Sequence, residues 1–219
     1  MDDLNLEYLT ENWRRVLELT GDHLRLSVAA IALALVFAVP LGILAARFRI
    51  LTTPILGLVG ALYTVPSLAF LGLLVATPIG IGFDNALIVL TAYAQLFLVR
   101  NISAGLRGVD AATLEAARGI GMTPLQVFRQ VRWPLALPLF VAGMRTALVS
   151  TISLATVAAF IGAGGLGRLI FDGLSLQRPN MILAGAIAIV LLAWTTDAVV
   201  RLAERLTAVA RAERAIRQA

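Results

Sequence analysis

Residues 110–138 read DAATLEAARGIGMTPLQVFRQVRWPLALP, a polar island between apolar runs long enough to cross a bilayer. Ala111 to Arg118 are mostly strong helix formers. Gly119 and Gly121 give that helix a place to end, and Thr123-Pro124 has the form of an N-cap followed by a first helical position. The spacing predicts a short helix, a sharp turn and a second helix. On the second helix Leu125, Phe128, Val131 and Arg132 recur every three to four residues, leaving one face for the chain's own bundle and another for a partner. Ala116 and Ala117 are small enough for close approach, and Glu115 offers a single charged contact. Pro134 and Pro138 mark the start of the next apolar run.

Composition explains why the island stands out. Of 219 residues 59% are apolar and 14% charged, far below the roughly 25% charged residues of soluble domains. Mean hydropathy is +0.89. The expected class is an all-α integral membrane protein. Spans of about 20 residues can be read over Leu26 to Ala46, within Ile50 to Phe83, and from Asn85 to Val99. A fourth runs from Leu135 to Phe160, interrupted by Arg145, and a fifth from Pro179 to about Val200. Met1 to Asp22 is acidic and lacks the basic start of a signal peptide, so the first run is read as a transmembrane helix.

Charge sets the orientation. All 18 basic residues are Arg, and 13 of them follow spans one, three and five or open span four. The positive-inside rule then places the N-terminus outside and the C-terminus in the cytoplasm, with the island cytoplasmic. The net charge of +5 is accounted for by this asymmetry and by contact with anionic inner-leaflet lipid, so no nucleic-acid partner is expected.

Absences narrow the chemistry. Without Lys there is neither the Gly-rich phosphate loop with its Lys nor a Schiff-base nucleophile. No Cys and one His, His23, argue against thiol catalysis and a His-rich metal site. No catalytic residue, metal site or resident cofactor is expected. His23 is read as an interfacial residue beside the first span. Leu6, Leu9, Trp13, Val16 and Leu17 lie at helical spacing, and Trp13 beside Arg14 and Arg15 suits a helix in the outer headgroup layer; a solvated lead-in is the alternative.

With these residues in place the island resembles a known signature. Glu115-Ala116-Ala117, Gly121, Val131 and Trp133-Pro134 stand at the offsets of the Glu-Ala-Ala loop of permease subunits in binding-protein-dependent ABC importers. Val131 and Trp133 replace the usual Ile and Leu. The resemblance implies a type I importer permease fold with five transmembrane helices and a coupling-helix loop over 105–133. It assigns ATPase coupling to Glu115, Ala116, Ala117, Arg118, Gly119 and Gly121. The implied partners are a cytoplasmic ABC ATPase dimer carrying ATP and Mg, a second permease subunit of the same or a sister chain, and an extracytoplasmic substrate-binding protein. The implied location is the bacterial inner membrane. The permease domain covers 23–205, flanked by an interfacial helix over 1–22 and a cytoplasmic tail over 206–219.

Other segments resemble the osmoprotectant branch, whose members carry glycine betaine, choline, carnitine or proline. They are His23-Leu24-Arg25-Leu26-Ser27, Pro40 to Leu44, Tyr63-Thr64-Val65-Pro66-Ser67-Leu68-Ala69, Arg100-Asn101 and Gly162 to Gly167. Phe97 stands where the branch is expected to have Pro. A permease for methionine or another small polar solute is the alternative within transport, and a channel or membrane enzyme the alternative outside it.

Two further groups of residues are candidates. Pro66 should kink span two and free a backbone carbonyl. Irregular backbone at membrane depth is tolerated where it lines a wet cavity, so Tyr63, Thr64, Pro66 and Ser67 are pathway candidates, with Ser153 and Thr156, and on similar terms Ser150 and Thr151, on span four. Helix packing is the alternative for each. Gly162, Gly164, Gly165 and Gly167 fit an irregular turn serving as outer gate or binding-protein contact, or close packing of a loop. Their match to a dinucleotide fingerprint fails because no strand precedes it. Arg145, read as the only charge well inside an apolar segment, either has a functional role or snorkels to the interface.

Overall fold

The computed structural model describes residues 7–206; Leu6 and the tail beyond Leu206 lie outside them. The described chain is helical throughout: α1 (Glu7–Glu11), α2 (Trp13–Arg47), α3 (Arg49–Thr64), α4 (Ser67–Val75), α5 (Phe83–Arg107), α6 (Ala111–Gly119), α7 (Pro124–Gln126), α8 (Trp133–Ala158), α9 (Gly167–Ser175) and α10 (Pro179–Leu206). A π-helical turn over Val127–Arg132 joins α7 to α8, and a 3-10 turn over Ala159–Ile161 follows α8. Among the described residues four helical segments are long and apolar enough to cross a bilayer, and the bent pair α3–α4, taken as one broken span, brings the number to five.

The centre of the bundle is α5, flanked by α2 and α8. In its most apolar stretch 61% of residues are buried, against 17% in α10, so α10 lies at the periphery. Small residues permit the close helix contacts that replace hydrophobic driving force inside a membrane. A Cβ on Gly143 of α8 would come within 2.4 Å of the Asn101 Cβ on α5, and one on Gly42 of α2 within 2.6 Å of Ile102.

The structure corrects the reading of the N-terminus. From Trp13 onward the segment is the first turns of α2, which passes through residue 22 without a break. At 1.5 Å per residue this 35-residue helix is about 52 Å long, well beyond the roughly 30 Å hydrocarbon core. Its extension is not surface-lying: Val16 and Leu19 are buried in the core cluster that holds Leu166, Leu169 and Met181, while Trp13 and Leu17 face outward.

Span two is likewise more than kinked. At Val65-Pro66 the axes of α3 and α4 turn by 86°. Both residues are extended, with ψ of 128° and 130°, as the restriction on a residue before proline favours. Phe97, in contrast, sits inside an unbroken α5.

Candidate functional site

The loop between α5 and α8 is fixed by its own local chemistry. Asp110 caps α6 by accepting the Thr113 N–H at 3.1 Å. At the other end Gly121 adopts φ +86°, a left-handed conformation that Gly reaches without a Cβ clash. Its N–H donates to the Arg118 carbonyl at 2.9 Å while Met122 N–H donates to Ala117 at 3.2 Å, the paired closure of a Schellman turn. Thr123 then opens the next helix. Its N–H donates to Gln126 Oε1 at 2.8 Å, and Gln126 N–H donates back to Thr123 Oγ1 at 3.4 Å, a capping box with Pro124 at the first position.

Pro134 and Pro138 do not mark a separate start of span four. The helix runs on from Pro124 through the π turn into α8. Pro134 has no N–H to give to a preceding carbonyl, and the helix widens to its π register in the turn just before it. Arg132 fastens this turn to the bundle, its Nε donating to the Leu106 carbonyl at 2.7 Å. Trp133 fills the junction between Phe128 and Phe140, each with ring centroids 6.0 Å away.

Glu115, Ala116, Arg118, Gly119 and Gly121 are exposed, and Ala117 is buried against the bundle. Ile120, which the sequence reading did not single out, is 80% exposed at the tip, and Leu125 is 63% exposed. Arg118 shares a side of α6 with Leu114, four residues earlier. Both line a pocket against the end of α2, whereas Ala116 lies on the opposite side. The loop therefore presents a charged, small and apolar surface outward, with Ile120 its most exposed apolar side chain.

At the break in span two the structure gathers aromatic rings. Tyr63 stands edge-on to Tyr93 at 5.5 Å and to Phe97 at 5.3 Å, and Phe70 lies 6.1 Å from Tyr93. The Tyr93 hydroxyl donates to the Val65 carbonyl, the acceptor that the break withdraws from helical bonding. Phe97, in the place expected for Pro, is thus a packing partner of Tyr63. Of the other pathway candidates, Pro66 and Thr64 are exposed and Ser67 is half-buried. Thr64 donates to the Ala61 carbonyl at 2.7 Å. On α8 Ser153 is exposed and donates to the Val149 carbonyl at 3.1 Å, Thr156 and Ser150 are half-buried, and Thr151 is buried.

The glycine turn after α8 is packed on its inner side. Gly162, Gly164 and Gly165 have φ between +79° and +84°. A Cβ on Gly167 would lie 2.1 Å from the Thr156 carbonyl oxygen. Gly165 and Gly167 are buried, so they cannot form a surface contact for a binding protein; Gly162 is exposed and Gly164 half-buried. His23 explains part of this packing and is not interfacial. It is 1% exposed and accepts the Leu166 N–H on Nδ1 at 3.2 Å. Its Nε2 lies 2.8 Å from the Ile152 carbonyl and must donate there, which fixes the neutral tautomer. One ring ties α2 to both α8 and the glycine turn.

Arg145 neither stands alone nor simply snorkels. Its Nε donates to Asp197 Oδ1 on α10 at 2.9 Å, and its Nη1 lies 3.7 Å from Glu204. Arg201 pairs with the other Asp197 oxygen. Asp197 lies inside the fifth apolar run, so Arg145 is not the only charge within an apolar segment. Among the described residues no group of three or more His, Cys, Asp or Glu is placed to hold a metal ion.

Comparison with known proteins bears on this arrangement. Residues 38–209 match the family of binding-protein-dependent transport system inner membrane components. The chain is 40% identical over 200 residues, 91% of its length and 92% of the relative's, to the choline transport system permease protein OpuBB of Bacillus subtilis (strain 168). It is 41% identical over 206 residues, 94% of each chain, to the carnitine transport permease protein OpuCB of Listeria monocytogenes. In fold it is similar to a chain of the inward-facing MetNI methionine ABC transporter. The TM-score is 0.71 with 23% identity, covering 85% of this chain and 95% of that one. The five-crossing bundle with its extramembrane helical loop is the type I importer permease fold, and the chain belongs to the family of binding-protein-dependent transport system inner membrane components.

Proposed function

We propose that this chain is the membrane-spanning subunit of an ATP-driven importer for a small osmoprotectant such as glycine betaine, choline, carnitine or proline. One observation carries the substrate class: identity of about 40% over more than nine-tenths of the chain to permeases of choline and carnitine transport systems. Both of those solutes carry a trimethylammonium group. The MetNI likeness, at 23% identity, speaks to fold alone.

Coupling is assigned to the loop. Glu115, Ala116 and Gly119, joined now by Ile120, dock on a separate cytoplasmic ATPase, one loop to each ATPase subunit, while Ala117, Arg118 and Gly121 serve coupling from behind by setting the shape and seating of the loop. Five crossings are few to enclose a solute path, so two permease subunits pair, with an extracytoplasmic binding protein delivering solute to the outer face. ATP-driven closure of the ATPase pair moves the loops and opens the path outward, and hydrolysis resets it. The loop is cytoplasmic and the N-terminus outside, supported by the Arg asymmetry. The path runs past the broken span at Tyr63, Thr64, Pro66 and Ser67 and past Ser153 and Thr156; the outer gate includes the turn at Gly162 and Gly164.

The test is uptake of labelled glycine betaine, choline and methionine in cells lacking the gene, complemented with the native chain or with Glu115→Arg. Betaine or choline uptake restored by the native chain alone supports both the substrate class and the coupling role. Methionine uptake moves the assignment to another solute, and equal rescue by Glu115→Arg removes Glu115 from the coupling contacts.

A further inference from the structure

Beneath the loop, three arginines from separate elements line one pocket. An open pocket of about 590 Å³ lies between the last turn of α2 and the segment from α6 to the π turn, lined by Arg47, Arg118 and Arg132 among apolar walls that include Ile43, Leu125 and Phe128. No acidic side chain among the described residues lines it. Among the described residues, none of the three arginines is in a salt bridge: the ion pairs involve Arg15, Arg145 and Arg201. Two of the three are nonetheless held in place. Arg132 is bonded to the Leu106 carbonyl at 2.7 Å, and the Arg47 guanidinium sits over the Phe48 ring at 5.6 Å. Like charges gathered this way repel unless an anion lies among them.

The placement indicates which anion. Ile43 and Arg47 are in the closing turns of a membrane-crossing helix, so the pocket opens at the level where lipid headgroups meet the hydrocarbon. A free phosphate or an acidic protein side chain would need the cations only. Here the apolar walls adjoin them, matching a molecule with a phosphate at one end and a glycerol and acyl chains at the other. Nor is the pocket the outward docking surface of the loop: its contribution from α6 is Leu114 and Arg118, opposite Ala116.

We propose that this pocket binds the phosphate headgroup of an anionic phospholipid, with the guanidinium groups forming charge-assisted bonds to the phosphate oxygens and the apolar walls receiving the glycerol and upper acyl chain. Basic pockets between membrane helices take headgroups in this manner. A lipid bound there bridges Arg47 at the end of α2 to Arg118 on α6, and so ties the loop to the bundle. The site is independent of the transported solute and goes beyond the function proposed above.

The test titrates the purified full-length chain in neutral detergent with short-chain phosphatidylglycerol, reading apparent affinity from the shift in melting temperature. Phosphatidylcholine of the same chain length and inorganic phosphate are the parallel arms. The Arg47→Gln/Arg118→Gln pair should weaken phosphatidylglycerol binding about thirtyfold. The control pair Arg100→Gln/Arg129→Gln, which removes two exposed charges outside the pocket, should leave it within about twofold. If the first pair does not fold, Arg118→Gln alone, on an exposed position of α6, should weaken binding about fivefold. Equal weakening by both pairs would overturn the site in favour of diffuse charge attraction. Equal binding of phosphatidylcholine would remove the anionic requirement, and competition by inorganic phosphate at matched concentration would make it a free-anion site.

Discussion

Arg145 on α8 and Asp197 on α10 meet at 2.9 Å, 52 positions apart in the chain, and join the peripheral helix to the bundle by charge. With Glu204 and Arg201 close by, the four charges sum to zero. A group of this kind suits an apolar setting, where an unpaired charge is costly.

Removing one member should therefore hurt more than removing both. Arg145→Gln or Asp197→Asn leaves an unmatched charge and should destabilise the chain by about 3 kcal/mol. The double variant Arg145→Met/Asp197→Leu should recover more than half of the lost melting temperature in detergent. Additive losses in the double variant would show that the pair does not act as a unit.

Tyr93→Phe removes one hydroxyl while keeping the ring beside Tyr63 and Phe70. The Val65 carbonyl at the break then loses its donor, at a cost of about 0.5–1.5 kcal/mol for a part-buried hydrogen bond. Thermal unfolding of the purified chain would measure this. No loss of stability would mean that water or a neighbouring group satisfies the carbonyl.

The His23 ring should tolerate little change. His23→Phe leaves the Leu166 N–H without its acceptor and should cost about 1–3 kcal/mol. Gly165→Ala combines a left-handed backbone of φ +79° with a Cβ only 2.9 Å from His23 Nδ1, and should cost about 2 kcal/mol or more. Gly162, with the same φ but open space around it, should cost less when changed to Ala. Melting temperatures of the three variants give the order.

Ile120→Asp separates docking from folding. The side chain is 80% exposed, so stability should change by no more than about 0.5 kcal/mol. Retention of the ATPase during copurification should fall sharply, with uptake of labelled solute. Full retention would exclude Ile120 from the docking surface.

Gly121→Val should act in the opposite way, through the shape of the loop. A β-branched residue at φ +86° is strained by about 1–3 kcal/mol, and the Schellman closure of α6 depends on that conformation. Uptake should fall although no contact residue has been altered, whereas Gly119→Ala, with open space around it and no unusual φ, should retain most of it.

Much of this was legible because its causes are local. The caps of α6 and α7 are visible as Asp110, Gly121, Thr123, Pro124 and Gln126, residues whose partners lie within five positions. What escaped was contact across the chain. His23 looks like an interfacial histidine until Ile152 and Leu166, 129 and 143 positions away, are placed on its two nitrogens. Tyr93 carries no local sign that its hydroxyl would meet Val65, and Asp197 gains its meaning from Arg145.

By itself the sequence determined an all-helical membrane chain, the approximate spans and the helix–turn–helix form of the loop. Apolar run length, proline, glycine and capping side chains act over a few residues and do not wait for the rest of the molecule. Only the tertiary structure decided that span two breaks by 86°, that α2 carries its N-terminal extension into the core, and that three arginines from separate elements share one pocket. Those outcomes depend on which surfaces remain unsatisfied once the helices pack. That is set by the whole bundle, since a carbonyl freed by Pro66 or a guanidinium on α8 takes its partner from whatever helix the fold brings alongside.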